Sequence, residues 1–344
     1  MSKADAVAAV LWVGVTLYAV FGGADFGSGF WALLAGGGQR GKRARELIDW
    51  AIGPVWEANH VWLIFMLVTL WTAFPEAFGS VMSTLFIPLC LSALGIVLRG
   101  AGFAFHRVAE RASARRFAEV AFGVASVLTP FFMGTVVGAV ASGRVPVGNA
   151  QGDLVTSWLN PVSLLLGALF VAAGVYLAAV FLVSDARRFG DREMVDYFAT
   201  RAFAAAVVAG TVAVASIFVL RDDARYIYDG LTSEGLPLVL ISLACGLGAL
   251  VLLWRRARRG ARPLAVLAMV AMIWGWGAAQ YPYLLPETLT IEEGAGASET
   301  LTVVLALFGV AVIVVLPALA LVFALDQRSL LEEEAELEPS SQTK

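Results

Sequence analysis

The chain has 344 residues, is 59% hydrophobic and 15% charged, and has a mean hydropathy of +0.79. That is too apolar for a soluble domain and long enough for many membrane crossings, which makes it an all-α polytopic membrane protein. The net charge of -3 hides a segregation of charge among the loops, so the overall balance gives no ground for a nucleic-acid partner. Cys90 and Cys245 both fall in apolar runs and read as packing residues, with neither a disulfide framework nor a thiolate metal site implied. The first apolar run is too long for a cleavable signal and lacks its basic leader.

Apolar runs of roughly 20 residues read as spans. They predict nine helices, near 6–35, 48–74, 79–105, 117–141, 161–183, 200–220, 236–254, 263–281 and 301–325. Alternate connections carry the bases: 20 of the 24 Lys and Arg fall on one side, and Lys3, Arg144, Arg221 and Arg225 on the other. The positive-inside rule then puts the amino terminus outside and the carboxyl terminus in the cytoplasm. Trp12, Trp71 and Trp158 are expected near the outer interface and Trp31, Trp50 and Trp254 near the inner one. Pro88, Pro130 and Pro317 fall within spans and are expected to kink them.

Two four-helix bundles and one peripheral helix account for this pattern. Residues 1–141 form the first bundle, 142–281 the second, 282–325 an outer loop with the ninth helix, and 326–344 an acidic solvated tail. Helices five to eight carry no Asp, Glu, Lys or His in their central turns, whereas the first bundle carries Asp25, Glu57 and His60. Function is therefore expected in the first bundle.

Asp25 lies ten residues before Ala35, roughly 15 Å from that helix end at 1.5 Å per residue. Glu57 lies nine residues beyond Ile48, roughly 14 Å from the same side. The two carboxylates are thus expected at one level on adjacent antiparallel helices, where burial and mutual repulsion favour holding a proton. His60 shares a helical face with Glu57 and Trp56. Ionisable groups at such depth are costly and mark a proton path or a neutralising partner. Structural alternatives stay open: Asp25 and Glu57 bonded to Ser28, Asn59 or Arg99, Arg99 as a snorkelling base, Trp56 and Trp62 as packing, and His60 as either a haem ligand or a core residue. With only His60 and His106 in the chain, a set of haems cannot be held by this polypeptide alone, and no metal site is assigned to it. No HExxH, CxxC, Walker or GxGxxG pattern suggests a soluble catalytic centre.

The stretch Gly53-Pro54-Val55-Trp56-Glu57-Ala58-Asn59-His60-Val61-Trp62-Leu63-Ile64 resembles the second-helix signature of subunit II of the cytochrome bd-type quinol oxidases. Gly23-Ala24-Asp25-Phe26-Gly27, Leu98-Arg99-Gly100, Leu159-Asn160-Pro161 and Tyr281-Pro282-Tyr283-Leu284-Leu285-Pro286 match in the same order. The resemblance implies nine helices, a bacterial cytoplasmic membrane, and a larger subunit I carrying the haem b and haem d groups and the quinol site. It leaves room for a small accessory subunit and for bound membrane lipid. It further implies that Asp25, Glu57 and His60 serve a proton route from the cytoplasm to the oxygen-reducing haem, supported by Trp56, Asn59, Trp62 and Arg99. Ala104 stands where family members commonly carry an acid, so either proton entry differs, through His106 or water, or this branch of the family has altered energetics or haem content. A secondary transporter and a purely structural scaffold are the alternatives; broken helices at matching places in both halves would favour the former.

Overall fold

The structure, a computed structural model, describes residues 2–52, 56–108, 111–257 and 259–327, without the side chains of Ile52, Trp56, Glu57, Ala58, His106 and a few others. The first span runs from Lys3 to Leu33 and comprises α1 (Lys3–Leu17), a π-helical turn (Tyr18–Gly22) and α2 (Gly23–Leu33). Ser2 and Asp5 close a reciprocal capping box at its start. The π turn falls on the Gly22-Gly23 pair, where the amide of Gly23 reaches back five residues to the carbonyl of Tyr18.

Residues 36–47 were expected to be a loop, but most of them belong to α3 (Gln39–Ile52). Ala44, Leu47 and Ile48 are buried at helical spacing while Arg40, Lys42, Arg43 and Arg45 stay on the wet side. An amphipathic helix with so many bases has the composition of a connection, which is why the hydropathy pattern hides it. The second span, α4 (Trp56–Ala73), ends at Pro75, whose missing amide breaks the ladder. The chain then bends by 118° into the short α5 (Pro75–Thr84). The third span, α6 (Phe86–Val108), accordingly starts at Phe86 and not at residue 79. Hydroxyls of α5 hold the next outer connection, with Ser80 accepting from the amide of Gly148 and Ser83 from that of Ala150. Pro88 sits in the first turn of α6, where it costs no hydrogen bond.

Next come α7 (Ala112–Ala141), α8 (Pro161–Arg188), α9 (Arg192–Asp223), the short α10 (Arg225–Thr232), α11 (Leu236–Trp254) and α12 (Ala261–Gln280). A small antiparallel hairpin, β1 (Tyr283–Leu285) with β2 (Leu289–Thr290), precedes α13 (Ser298–Gln327). Pro130 and Pro317 lie inside α7 and α13. Asn160 caps α8 by accepting the amide of Ser163 at 3.0 Å, ahead of Pro161 at the first helical position. Gly190 ends α8 at φ 70°, letting the amides of Gly190 and Asp191 return to Arg187 and Ala186.

Among the described residues eight helices are long and apolar enough to cross a membrane, or nine when the bent α4–α5 pair counts as one span. Val61, Ile64, Val68 and Trp71 on α4 and Phe86, Leu94 and Val97 on α6 are exposed, which suits lipid or a partner and not water. At one end, Arg43 pairs with Asp191 and Glu193, and Arg256 with Asp196, tying together connections the sequence assigns to a single side. At the other end Lys3 reaches Ser298 and Thr302, and the amide of Gly296 meets the carbonyl of Ala73. Core packing is continuous from α2 through α8 to α9 and α12. Gly27 faces the Gly174 backbone so closely that a Cβ at Gly27 would overlap it. Trp31, expected at an interface, is buried, and its indole donates to the carbonyl of Val175 at 2.9 Å.

Candidate functional site

Asp25 and Arg99 are joined in a buried ion pair between α2 and α6. Asp25 is on the first turn of α2 and 5% exposed; Arg99 is on α6 and 1% exposed. Two parallel bonds unite them, Nη1 to Oδ2 at 2.9 Å and Nη2 to Oδ1 at 2.6 Å, and Nη2 also reaches the Asp25 carbonyl at 3.2 Å. Nε donates to Ser126 Oγ on α7 at 3.0 Å, and that hydroxyl donates onward to the carbonyl of Phe122. The guanidinium is sandwiched between aromatic faces, 5.0 Å from the Phe26 centroid and 4.7 Å from that of Phe122. Arg99 is therefore no snorkelling base. Its charge is spent inside the bundle, in the fork geometry that makes arginine the usual partner of a buried carboxylate.

The other residues singled out in the sequence fall as follows. Ser28 does not bond the Asp25 carboxylate; its hydroxyl donates to the carbonyl of Ala24. Asn59 is buried on α4, with Nδ2 directed at the carbonyl of Phe21, in the π turn, at 3.4 Å. His60 is half-buried and packs edge-on to Phe26 with ring centroids 6.3 Å apart. Trp62 is half-buried on the same helix. Glu57 and Trp56 belong to α4, but their side chains lie outside the described residues, as does that of His106. Ala104, the departure from the expected pattern, is exposed on α6. The start of α4 thus lies beside α2 at the level of Phe21 to Phe26, while the orientation of the Glu57 carboxylate lies outside the description.

Three participants were not legible in the sequence: Ser126, Phe122 and Tyr18. A serine and two aromatics in apolar spans look like packing, and only the crossing of α7 behind α6 reveals the contact of Ser126 and Phe122 with Arg99. A recess of about 500 Å3 lies on the basic side of this cluster, with Arg45, Asp49, Gly102, Arg116, Glu119 and Phe122 on its walls. Phe122 forms part of its wall and also covers Arg99. The donors gathered here are a carboxylate already gripped by arginine, a serine, an asparagine and one imidazole, so His60 is the single ordinary axial haem ligand among the described residues of the cluster.

Comparison with known proteins extends the reading to the whole chain. The model of the family described as cytochrome bd terminal oxidase subunit II matches residues 4–325. The putative cytochrome bd menaquinol oxidase subunit II of Bacillus subtilis is 20% identical over 340 residues, covering 94% of this chain and 96% of that one. The cytochrome bd-I ubiquinol oxidase subunit 2 of Escherichia coli is 28% identical over 181 residues, 50% of this chain and 46% of that one. Among solved structures, the bd oxidase of Geobacillus thermodenitrificans superposes with a TM-score of 0.76 at 25% identity, covering 94% of this chain and 98% of that chain. A match of this extent sets aside the transporter alternative. The chain belongs to the cytochrome bd terminal oxidase subunit II family, and is a membrane subunit, alongside a subunit I, of a quinol oxidase that reduces oxygen to water.

Proposed function

We propose that within this oxidase the chain supports the haem-bearing subunit and supplies a proton route from the cytoplasm toward the oxygen-reducing site. The observation that carries the reading is the buried cluster itself: a charge-compensated Asp25–Arg99 pair, with Asn59 and His60 brought beside it by α4. Ionised groups at this depth are retained where they conduct or where they organise an interface. In this route Glu57 and His60 carry the proton. Asp25, gripped by Arg99, gives a locally neutral site that a passing positive charge meets without repulsion, and Trp56, Asn59, Trp62 and Arg99 hold the helices in register. The recess beside Phe122, which carries Arg45, Asp49, Arg116 and Glu119 on largely apolar walls, supports uptake from the basic side and offers an alternative to the acid that Ala104 replaces.

Haem b and haem d belong, in this reading, to subunit I, whose quinol site they serve, since two histidines in this chain are too few for a set of haems. The amino terminus lies outside and the carboxyl terminus in the cytoplasm of a bacterial membrane, with lipid and a small accessory subunit as further contacts. The chain divides into bundles at 1–141 and 142–281 with a peripheral ninth helix. The test uses the purified two-subunit oxidase in liposomes. Glu57→Gln and His60→Ala are expected to slow quinol-dependent oxygen consumption and proton uptake together, by about a hundredfold, the low side of a general acid–base effect. Unchanged turnover and uptake in both would refute conduction and leave the scaffold reading, which the saturated Asp25–Arg99 pair favours on its own.

A further inference from the structure

Tyr18 opens the π turn of the first span, and its side chain is 7% exposed. Its hydroxyl is buried and makes no hydrogen bond among the described residues. Most buried hydroxyls have partners, because an unmade bond costs about 1–3 kcal/mol. The ring lies flat along the helix over Gly22, where a Cβ would stand 3.0 Å from Cε2 and 3.5 Å from Cζ. Glycine at 22 is therefore what lets the hydroxyl end run down the span toward Asp25 and Phe26. The Tyr18 ring meets Phe26 edge-on at 6.4 Å, and Phe26 in turn meets His60 and stacks on Arg99. Tyr18 also lies within electrostatic reach of both Asp25 and Arg99.

We propose that the Tyr18 hydroxyl is a further relay group, passing protons between the level of the Asp25–Arg99 pair and His60. The inference rests on the proton route proposed above and adds a residue to it. Arg99 holds both carboxylate oxygens of Asp25 in a two-bond fork, so this carboxylate is committed to the ion pair. A phenol both donates and accepts, so Oη takes up one proton as it releases its own. One O–H bond forms as another breaks, no charge stays on the ring, and no electron moves. In this proposal water at the unpartnered hydroxyl supplies the neighbours for the exchange. The π turn assists by widening the helix where Asn59 engages the carbonyl of Phe21.

The experiment uses the intact oxidase with Tyr18→Phe, and Tyr176→Phe as a matched control. Tyr176 Oη is likewise buried without a partner but sits on α8, in the core shared with α9. Tyr18→Phe is expected to lower turnover about tenfold and to raise the solvent deuterium isotope effect, a modest fraction of what losing a proton-transfer group costs. Haem content and the KM for quinol should stay at their wild-type values. Turnover and isotope effect equal to those of Tyr176→Phe would overturn the inference. If Glu57→Gln and His60→Ala slow uptake while Tyr18→Phe does not, only this inference falls; if none of the three does, the route falls too. A second variant guards against misfolding: 3-fluorotyrosine at position 18 keeps ring and hydroxyl but makes the hydroxyl more acidic. It should change turnover and the solvent isotope effect relative to wild type, and unmoved values would count against the relay.

Discussion

Replacing Arg99 by Met keeps most of the side-chain volume and removes the guanidinium, so the perturbation is electrostatic and not a cavity. Asp25 would lose both carboxylate bonds, at 2.9 and 2.6 Å, while staying 5% exposed, and Ser126 would lose its donor. Breaking a buried pair from one side costs about 3–5 kcal/mol, because the remaining charge has neither water nor partner. Interhelical hydrogen bonds in membranes average only about 0.6 kcal/mol, so the two descriptions of this contact differ several-fold and can be told apart. At about 1.4 kcal/mol per tenfold change, the larger figure corresponds to roughly two to three and a half powers of ten in the folding equilibrium. The assay is thermal and denaturant unfolding of the purified oxidase, with retention of this subunit as readout. Asp25→Leu with Arg99→Met is expected to recover most of the loss, giving a coupling energy of about 2 kcal/mol or more in the double-mutant cycle. Additive effects, or an Arg99→Met variant within about 0.5 kcal/mol of wild type, would show that the pair carries no buried charge and refute the reasoning.

Other outcomes follow from single contacts. Asn160→Ala removes the cap of α8 and both Nδ2 bonds, to the Ser157 carbonyl and Ser163 Oγ, and should cost about 1–2 kcal/mol, measured by the same unfolding assay. Gly27→Val drives a branched side chain into the Gly174 backbone and is expected to abolish accumulation of the assembled oxidase, whereas Gly210→Ala, at a position with open space, should leave it intact. The amides of Val155 and Thr156 donate to Asp153, and these bonds hold its carboxyl below the ordinary 3.8. The sign follows: the contribution to loop order is present above pH 3.8 and is lost as pH falls through the lowered value. Proteolysis of the 142–160 connection should therefore accelerate only in acid, and Asp153→Asn should flatten that dependence.

The spans were legible because roughly 20 apolar residues have one economical structure in lipid. The elements that escaped are those whose reason lies outside their own composition. α3 looks like a basic loop until Ala44, Leu47 and Ile48 are seen to bury against α8 and α9. The break at Phe74-Pro75 was readable from proline alone, yet the apolar run continues across it and hides the bend. At the site, Asp25, Arg99, Asn59 and His60 stood out because polar groups are conspicuous in apolar helices. Their pairing was not readable, since Arg99 had four candidate fates and only the crossing of α2, α6 and α7 decides among them. Ser126, Phe122 and Tyr18 carried no signal at all, being ordinary residues for a membrane helix.

The way the cluster is built bears on what it does. Arg99 joins three helices, through Asp25 on α2, its own α6, and Ser126 with Phe122 on α7. Asn59 and His60 add a fourth, α4, at the π turn and at Phe26. A purely apolar core would hold four helices at least as well, and replacing buried ion pairs by hydrophobic residues is often stabilising. The pair is therefore poorly explained by stability alone. What an apolar core cannot provide is a buried, locally neutral arrangement of charge near hydroxyl, amide and imidazole groups, stacked on a ring that also lines a recess carrying Arg45, Asp49, Arg116 and Glu119. Asp25→Asn with Arg99→Gln keeps hydrogen-bonding groups and removes both charges, so it separates the two roles: an assembled oxidase with slowed proton uptake means that the charge serves transport, and wild-type uptake means that it serves assembly.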